Sequence, residues 1–293
     1  MITSPAAIRL ATWLLRFAPP VPTRAFARLV GSAASFVLLT RRRTVLESLG
    51  FFRPELDHAR RKRLARRTFA NFAAAVVDLL RLPSATRAEL LALVSFAGVE
   101  HLDAVLEAGR GAIIVTAHLG PYELGGACLA IRGYDTTAVV ERLAPEVMQA
   151  LASFREATGM QLIPLERAAT GSLRALRRNG TVLLVADRVV GDTTTGVELP
   201  FAHGTRRVPT GPAYLSIASG APVIVAHIVQ TRKHNGARYA VQLDSPIVAD
   251  ASLERNESEM DLTRRITARL AAIVASHPDQ WFVFQPEWLR NRG

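Results

Sequence analysis

The sequence has one cysteine, Cys128, in 293 residues, which excludes an internal disulfide and a cysteine-based metal centre. Its seven histidines are scattered, with no His-Glu-x-x-His or comparable ligand spacing, so no metal is expected. Lysine is nearly absent. Lys62 and Lys233 are the only two, and arginine carries almost all of a formal net charge of +11 and a pI of about 11.1. Such a balance calls for an anionic partner, and the planar guanidinium suits phosphates and acidic headgroups. Aromatic residues make up only 6% and no nucleic-acid-binding module is recognisable, so nucleic acid is not the expected partner. A Gly-x-Ser-x-Gly elbow is missing, as are Gly-x-x-x-x-Gly-Lys-Ser/Thr and a glycine fingerprint after a strand. These absences count against a serine hydrolase of the elbow type and against a nucleotide-binding enzyme.

Long hydrophobic runs are lacking as well. Ile2 to Leu39 is apolar but interrupted by Arg9, Arg16, Pro19, Pro20, Arg24 and Arg28. Its longest uncharged run, Leu29 to Thr40, falls well short of the about 20 residues that a spanning helix needs. Ala25-Phe-Ala27 imitates a signal-peptide cleavage site, but Arg16 and two prolines break the apolar run before it. The expectation is therefore two amphipathic helices lying in a membrane interface. Trp13, Phe17, Phe26 and Phe36 would enter the acyl boundary, and Arg41-Arg42-Arg43 would favour the anionic cytoplasmic leaflet. The competing reading is that these helices cover the protein's own core.

What the sequence does contain is 49% hydrophobic residues, ample for a sizeable core, and one stretch around which the rest is arranged. Ala112 to Thr116 is a short run rich in β-branched residues, bounded by glycine on one side and a turn on the other, which reads as a buried strand. His118 follows directly. Pro121 suits the first turn of a helix, and Glu123 falls within that turn. The positive end of a helix favours a neutral imidazole and an ionised carboxylate, so Glu123 could hold one ring nitrogen of His118 and leave the other free as a base. On spacing alone, a His that merely caps the helix beside an ordinary first-turn acid fits equally well.

Further along, strand and helix alternate. Thr136 to Val140 reads as a strand, Pro145 to Ala157 as a helix, Gln161 to Leu165 as a strand, Gly171 to Arg178 as a helix and Val182 to Ala186 as a strand. This order predicts an α/β fold with a central, mostly parallel sheet flanked by helices. Asp187 to Val208 reads as a long polar connection, a length that marks functional or mobile segments. Beyond it come a helix near Thr210 to Ser219, a hairpin turning at His234-Asn-Gly236, a helix from about Glu257 to Ser276 and an aromatic tail, Trp281 to Trp288. Ligands of open α/β sheets bind at the carboxyl ends of strands, where His118, Glu141, Arg142, Asp187 and Arg188 all fall.

His118-Leu-Gly-Pro-Tyr-Glu123 resembles the His-x4-Asp/Glu motif of glycerolipid acyltransferases, in the form found in bacterial lipid A late acyltransferases and phosphatidylinositol mannoside acyltransferases. Val140-Glu-Arg-Leu143, Phe154 to Met160, Leu184 to Arg188, Gly196 to Phe201, Arg207 to Pro212 and Gln285-Pro-Glu-Trp288 resemble family blocks in the same order. Pro121 departs from the pattern, since many members carry Asn there. The resemblance implies a glycerol-3-phosphate acyltransferase-like fold, with membrane-interface helices over residues 1–45 and an acyltransferase domain over 46–293. It also implies transfer of an acyl chain from acyl-CoA or acyl carrier protein to a glycolipid hydroxyl, with no bound cofactor and His118 and Glu123 as the catalytic pair. Glu141 and Glu198 lie in blocks that resemble positions handling the acceptor or assisting at the site. Asp187 is expected among the substrate contacts, and Arg142, Arg155, Arg188 and Arg207 would hold phosphates. The expected acceptor is a phosphatidylinositol mannoside-type phospholipid, with a lipid A precursor or lysophospholipid next and a non-catalytic lipid-binding protein as the rival of another class. A monomer on the cytoplasmic face of the plasma or inner membrane, peripheral or monotopic, completes the expectation.

Overall fold

Ala112–Thr116 is apolar at its first four positions because both of its faces are covered, as in the centre of a parallel sheet. In a computed structural model, which describes residues 12–141, 158–190, 196–234, 237–286 and 288–289, this strand is the middle of seven. In chain order they are β1 (Val94–Ala97), β2 (Ala112–Thr116), β3 (Thr136–Val140), β4 (Gln161–Pro164), β5 (Thr181–Val185), β8 (Val223–His234) and β9 (Ala237–Leu243). Across the sheet the order is β1-β9-β8-β2-β5-β3-β4. Only the β8/β9 hairpin is antiparallel; the other neighbours run parallel. The mixed, mostly parallel α/β sheet expected from the strand and helix alternation is thus present.

Alternate residues of each strand face opposite sides, so each face has its own core. On one side Ile113, Val115, Val182, Val223 and Val225 pack with Ala175 and Leu176 of α7 (Ala168–Arg177), Leu215 of α8 (Gly211–Ser219) and Leu262, Ile266 and Leu270 of α9 (Arg255–Ser276). On the other, Ile114, Ile224, Ala226 and Ile228 pack with Val105 of α5 (Val99–Glu107) and Leu124 and Leu129 of α6 (Tyr122–Ile131). Cys128 is buried in that second core, where burial pushes its thiol up to about 12; it fills space. The helix expected at Pro145 to Ala157 lies outside the described residues, and so does the turn at Asn235-Gly236.

The remaining helices are α1 (Pro20–Val37), α2 (Leu39–Phe52), α3 (His58–Arg81) and α4 (Arg87–Leu93). Helix α1 lies against α3 through its small and polar positions, Arg24, Ala27, Gly31 and Ser35. The approach is close enough that a Cβ at Gly31 would stand 2.4 Å from the Phe69 carbonyl oxygen. Arg24 is buried in an ion pair with Asp78 of α3 and donates to the Tyr239 hydroxyl at 2.9 Å, which ties α1 to strand β9. Its large apolar side chains, Val21, Phe26, Leu29, Phe36 and Val37, face outward and are exposed. No described helix is long and apolar enough to cross a membrane.

One expectation is corrected here. Asp187 to Val208 is not simply a long connection, because it contains an antiparallel hairpin of β6 (Val197–Phe201) and β7 (Gly204–Val208). Its inner side chains, Leu199, Phe201, Arg206 and Val208, are buried and its outer ones carry charge. Alternation of period two sets which is which.

Candidate active site

Strands β2 and β5 run parallel with Thr116 opposite Val185, so the chains leave the sheet side by side. The Ala186 N–H still donates to the Thr116 carbonyl at 2.9 Å, and a candidate side chain follows two residues past Thr116 and one past Ala186. His118 and Asp187 meet there: Nδ1 of His118 lies 2.7 Å from Oδ1 of Asp187, and the His118 backbone N–H donates to Oδ2 at 3.1 Å. Oδ2 also accepts the Trp281 indole N–H at 2.6 Å. The Asp187 carboxylate is fully buried, and three N–H groups converge on it.

Segment 280–282 holds the histidine from the other side. The Phe282 N–H donates to the His118 carbonyl at 2.8 Å, and the Gly120 N–H donates to the Gln280 carbonyl at 2.8 Å. Gly120 sits at φ +60, with a hypothetical Cβ 2.2 Å from the Ile228 carbonyl oxygen. Only glycine fits that turn. Since the Gly120 amide is engaged and Pro121 has none, Tyr122 is the one residue of 120–122 whose N–H could still serve a developing oxyanion.

Electrostatics follow from this geometry. Burial of Asp187 is more than offset by the His118 contacts, the nearby Arg206 guanidinium and the Trp281 hydrogen bond, which hold its carboxyl well below the usual range. For His118, burial pulls the imidazole down, but the Asp187 charge and hydrogen bond outweigh it and leave it raised above the ordinary 6.5. With the Nδ1 proton directed at Asp187, Nε2 is left as the acceptor of a partly exposed ring.

Glu123 does not hold the His118 Nδ1, contrary to the expectation from spacing. Glu123 in the first turn of α6 lines a cavity between that helix and the sheet, whereas the register of β2 and β5 sets Asp187 directly alongside the imidazole. Burial raises the Glu123 carboxyl above the usual range despite the helix terminus. Helix position had suggested the opposite. Tyr122 packs edge-on to the His118 ring at 5.4 Å between centroids. Tyr122, Glu123 and Thr116, but not His118, help line this cavity of about 100 Å³ between α6 and the sheet, with Gly126, Met160 and Leu183 also in its wall. Its walls are almost wholly apolar.

Of the other expected contacts, Glu141 and Arg188 pair at 2.5 Å beyond β3 and β5. Glu198 and Arg207 pair across the β6–β7 hairpin on its outer face. Two expected phosphate holders thus have carboxylate partners already. Arg142 and Arg155 lie outside the described residues. Among the described residues no cluster could hold a metal ion. Sequence reasoning missed Trp281 and Arg206: the first looked like part of an aromatic tail, and the second showed only in the inward alternation of Gly204–Val208, had that stretch been read as a strand.

A histidine–carboxylate pair at the carboxyl edge of such a sheet, beside an apolar cavity, is the kind of site an acyl-transferring enzyme uses. The chain belongs to the bacterial lipid A biosynthesis acyltransferase family, whose model matches residues 6–290. It is similar to the phosphatidylinositol mannoside acyltransferases of two Mycobacterium tuberculosis strains, CDC 1551 / Oshkosh and H37Rv, at 33% identity over 221 residues, 73% of this chain. The match spans 66% of their length. A relative of the same name from Mycolicibacterium smegmatis is 28% identical over 233 residues, covering 78% of this chain and 73% of the relative.

Proposed function

We propose that this protein is a membrane-associated O-acyltransferase that moves a fatty acyl chain from an acyl thioester to a hydroxyl of a glycosylated phospholipid of the phosphatidylinositol mannoside type. The observation that carries the reading is the His118–Asp187 pair beside an apolar cavity, in a chain of this family. Nε2 of His118 takes the proton of the acceptor hydroxyl as its oxygen attacks the thioester carbonyl. The tetrahedral intermediate collapses with cleavage of the C–S bond, and the imidazolium proton passes to the departing sulfur. No acyl-enzyme is formed. General-base assistance of this kind contributes on the order of 10²–10⁴-fold in rate, and the Tyr122 amide is the candidate donor to the oxyanion.

The cavity under α6 is the natural place for the acyl tail, since Gly126, Met160, Leu162 and Leu183 line it together with Tyr122 and Glu123. Glu198 and Arg207 on the outer face of the hairpin, with Glu141 and Arg188, are offered to the acceptor headgroup and to donor phosphates; each pair would exchange its partner for substrate. The exposed apolar face of α1 next to Arg41, Arg42 and Arg43 adsorbs to the anionic cytoplasmic leaflet. The family's description favours a second acceptor, a lipid A precursor, while the names of the relatives favour the mannoside.

The test is to supply the purified protein with hexadecanoyl-CoA or hexadecanoyl-acyl carrier protein and, separately, a phosphatidylinositol mannoside, a lipid A precursor and a lysophospholipid. Product lipids are then followed by mass spectrometry. A mannoside heavier by one acyl chain is expected, with His118→Ala inactive yet still floating with anionic liposomes. Acylated product from none of the acceptors would reduce the protein to a lipid binder, and wild-type turnover by His118→Ala would remove the base.

A further inference from the structure

Among the described residues Arg206 is the largest side chain that is fully buried, at 0% exposure. A guanidinium is costly to remove from water and persists in a core only where charge and hydrogen bonds compensate it. Its surroundings here are aromatic: its Cζ stands 4.8 Å from the centre of the Trp281 ring, 5.0 Å from that of Trp288 and 5.5 Å from that of Phe201. Ring faces attract cations, more strongly once water is excluded. Asp187 lies against this cage. Nη2 of Arg206 donates to the Asp187 backbone carbonyl at 3.2 Å, and the Trp281 ring that lies against the guanidinium also sends its N–H to Asp187 Oδ2.

The cage is also bolted to its surroundings. Trp288 bridges to Arg206 in the backbone, its indole N–H donates to Ser48 Oγ at 2.9 Å, and its ring stacks on Phe51 at 4.3 Å. A fixed cation therefore stands behind the acid that orients the imidazole. Arg207, the next residue, points the other way and pairs with Glu198 on the outside of the same hairpin.

We propose that Arg206 is a positioning residue: caged by Phe201, Trp281 and Trp288, it keeps Asp187 ionised and aimed at His118, and it restrains how basic that imidazole becomes. The inference rests on His118 acting as the base. The charged and titratable groups that bear on His118 are Asp187 and Arg188 beyond β5, with Glu123 and Tyr122 on α6; Arg206 of β7 reaches it through Asp187. Removing the cation leaves the carboxylate's charge less compensated, so the His118–Asp187 pair binds a proton more tightly.

The test measures the protonation of His118 without using turnover, from the pH dependence of its carbethoxylation by diethyl pyrocarbonate, read on the His118 peptide by mass spectrometry. Arg206→Met and Arg206→Gln should raise the midpoint by about one pH unit, an effect in the range of a lost neighbouring charge. Neutral imidazole below the midpoint then falls about tenfold. Arg206→Lys, which retains the charge, should restore most of the wild-type midpoint. Arg206→Gln keeps a donor for the Asp187 carbonyl and serves if the methionine variant fails to fold. A folded Arg206→Gln or Arg206→Met protein with an unchanged or lowered midpoint overturns the proposal, since a side chain that only fills space would lower the melting temperature and leave the titration in place. Wild-type turnover by His118→Ala would instead overturn the base on which the proposal rests, whatever the midpoint does.

Discussion

Replacing Asp187 by Asn keeps the shape of the side chain and removes its charge. Three N–H groups converge on the present carboxylate, from the His118 main chain, His118 Nδ1 and Trp281 Nε1. An amide offers a single oxygen, so its own NH₂ must face either the imidazole or donors that are then left unsatisfied. The first arrangement forces the His118 proton onto Nε2, the nitrogen proposed to accept the substrate proton. By analogy with the loss of tautomer control in other histidine–aspartate pairs, kcat/KM should fall by on the order of 10³–10⁴, or about 4–5.5 kcal/mol of transition-state stabilisation. The pH profile adds a sign. In the wild type His118 is raised above 6.5, so kcat/KM climbs with pH through a midpoint above that value. Without the Asp187 charge, burial and the Arg188 charge outweigh Glu123 and the midpoint of any residual activity drops below 6.5. Thiol release from an acyl thioester over pH 5 to 9 reads both quantities. Glu123→Gln is the control and should stay within about tenfold of wild type. If instead Glu123→Gln lost three orders of magnitude and Asp187→Asn lost less than one, Glu123 would be the true partner of the imidazole and the reasoning would fail.

Two further perturbations probe other parts of the molecule. A Cβ at Gly126 would come 2.5 Å from the Leu183 side chain in the cavity wall, so Gly126→Val should move the preferred donor toward shorter acyl chains while leaving the His118 titration unchanged; a competition assay with mixed thioesters reports it, and an unaltered chain-length profile would place the tail elsewhere. Burial and the neighbouring His277 depress His227 to about 4, below its ordinary 6.5. The unfolded chain therefore binds the extra proton first, and about 2–3 kcal/mol of stability is lost as pH falls from 6.5 to 4, at 1.4 kcal/mol per pH unit. Denaturant unfolding at pH 7 and pH 4.5 should show a smaller difference in His227→Gln than in the wild type.

Strand β2 and the alternation after it were legible because a central parallel strand is apolar on both faces, and such runs stand out in sequence. The proposed base was legible for a related reason, since strand ends in such sheets carry function. Its partner was not. Glu123 is close in sequence and suits a helix terminus, whereas Asp187 is 69 positions away and Trp281 is 94 positions from Asp187. Their meeting depends on β5 inserting between β2 and β3 and on a tail that returns across the sheet edge. Local periodicity holds no record of that order. The β6–β7 hairpin escaped notice because its strands are short and carry Pro200 and adjacent arginines, so that charge hid the alternation which places Arg206 inside and Arg207 outside.

The protonation of one ring is the most direct test of the whole account. Nitrogen-15 NMR of protein labelled at histidine, with His118→Gln used to assign the resonance, distinguishes the two tautomers and follows their titration. The account predicts a neutral ring protonated at Nδ1 with Nε2 bare, titrating above 6.5. A neutral ring protonated at Nε2, or a midpoint below 6.5, would contradict it.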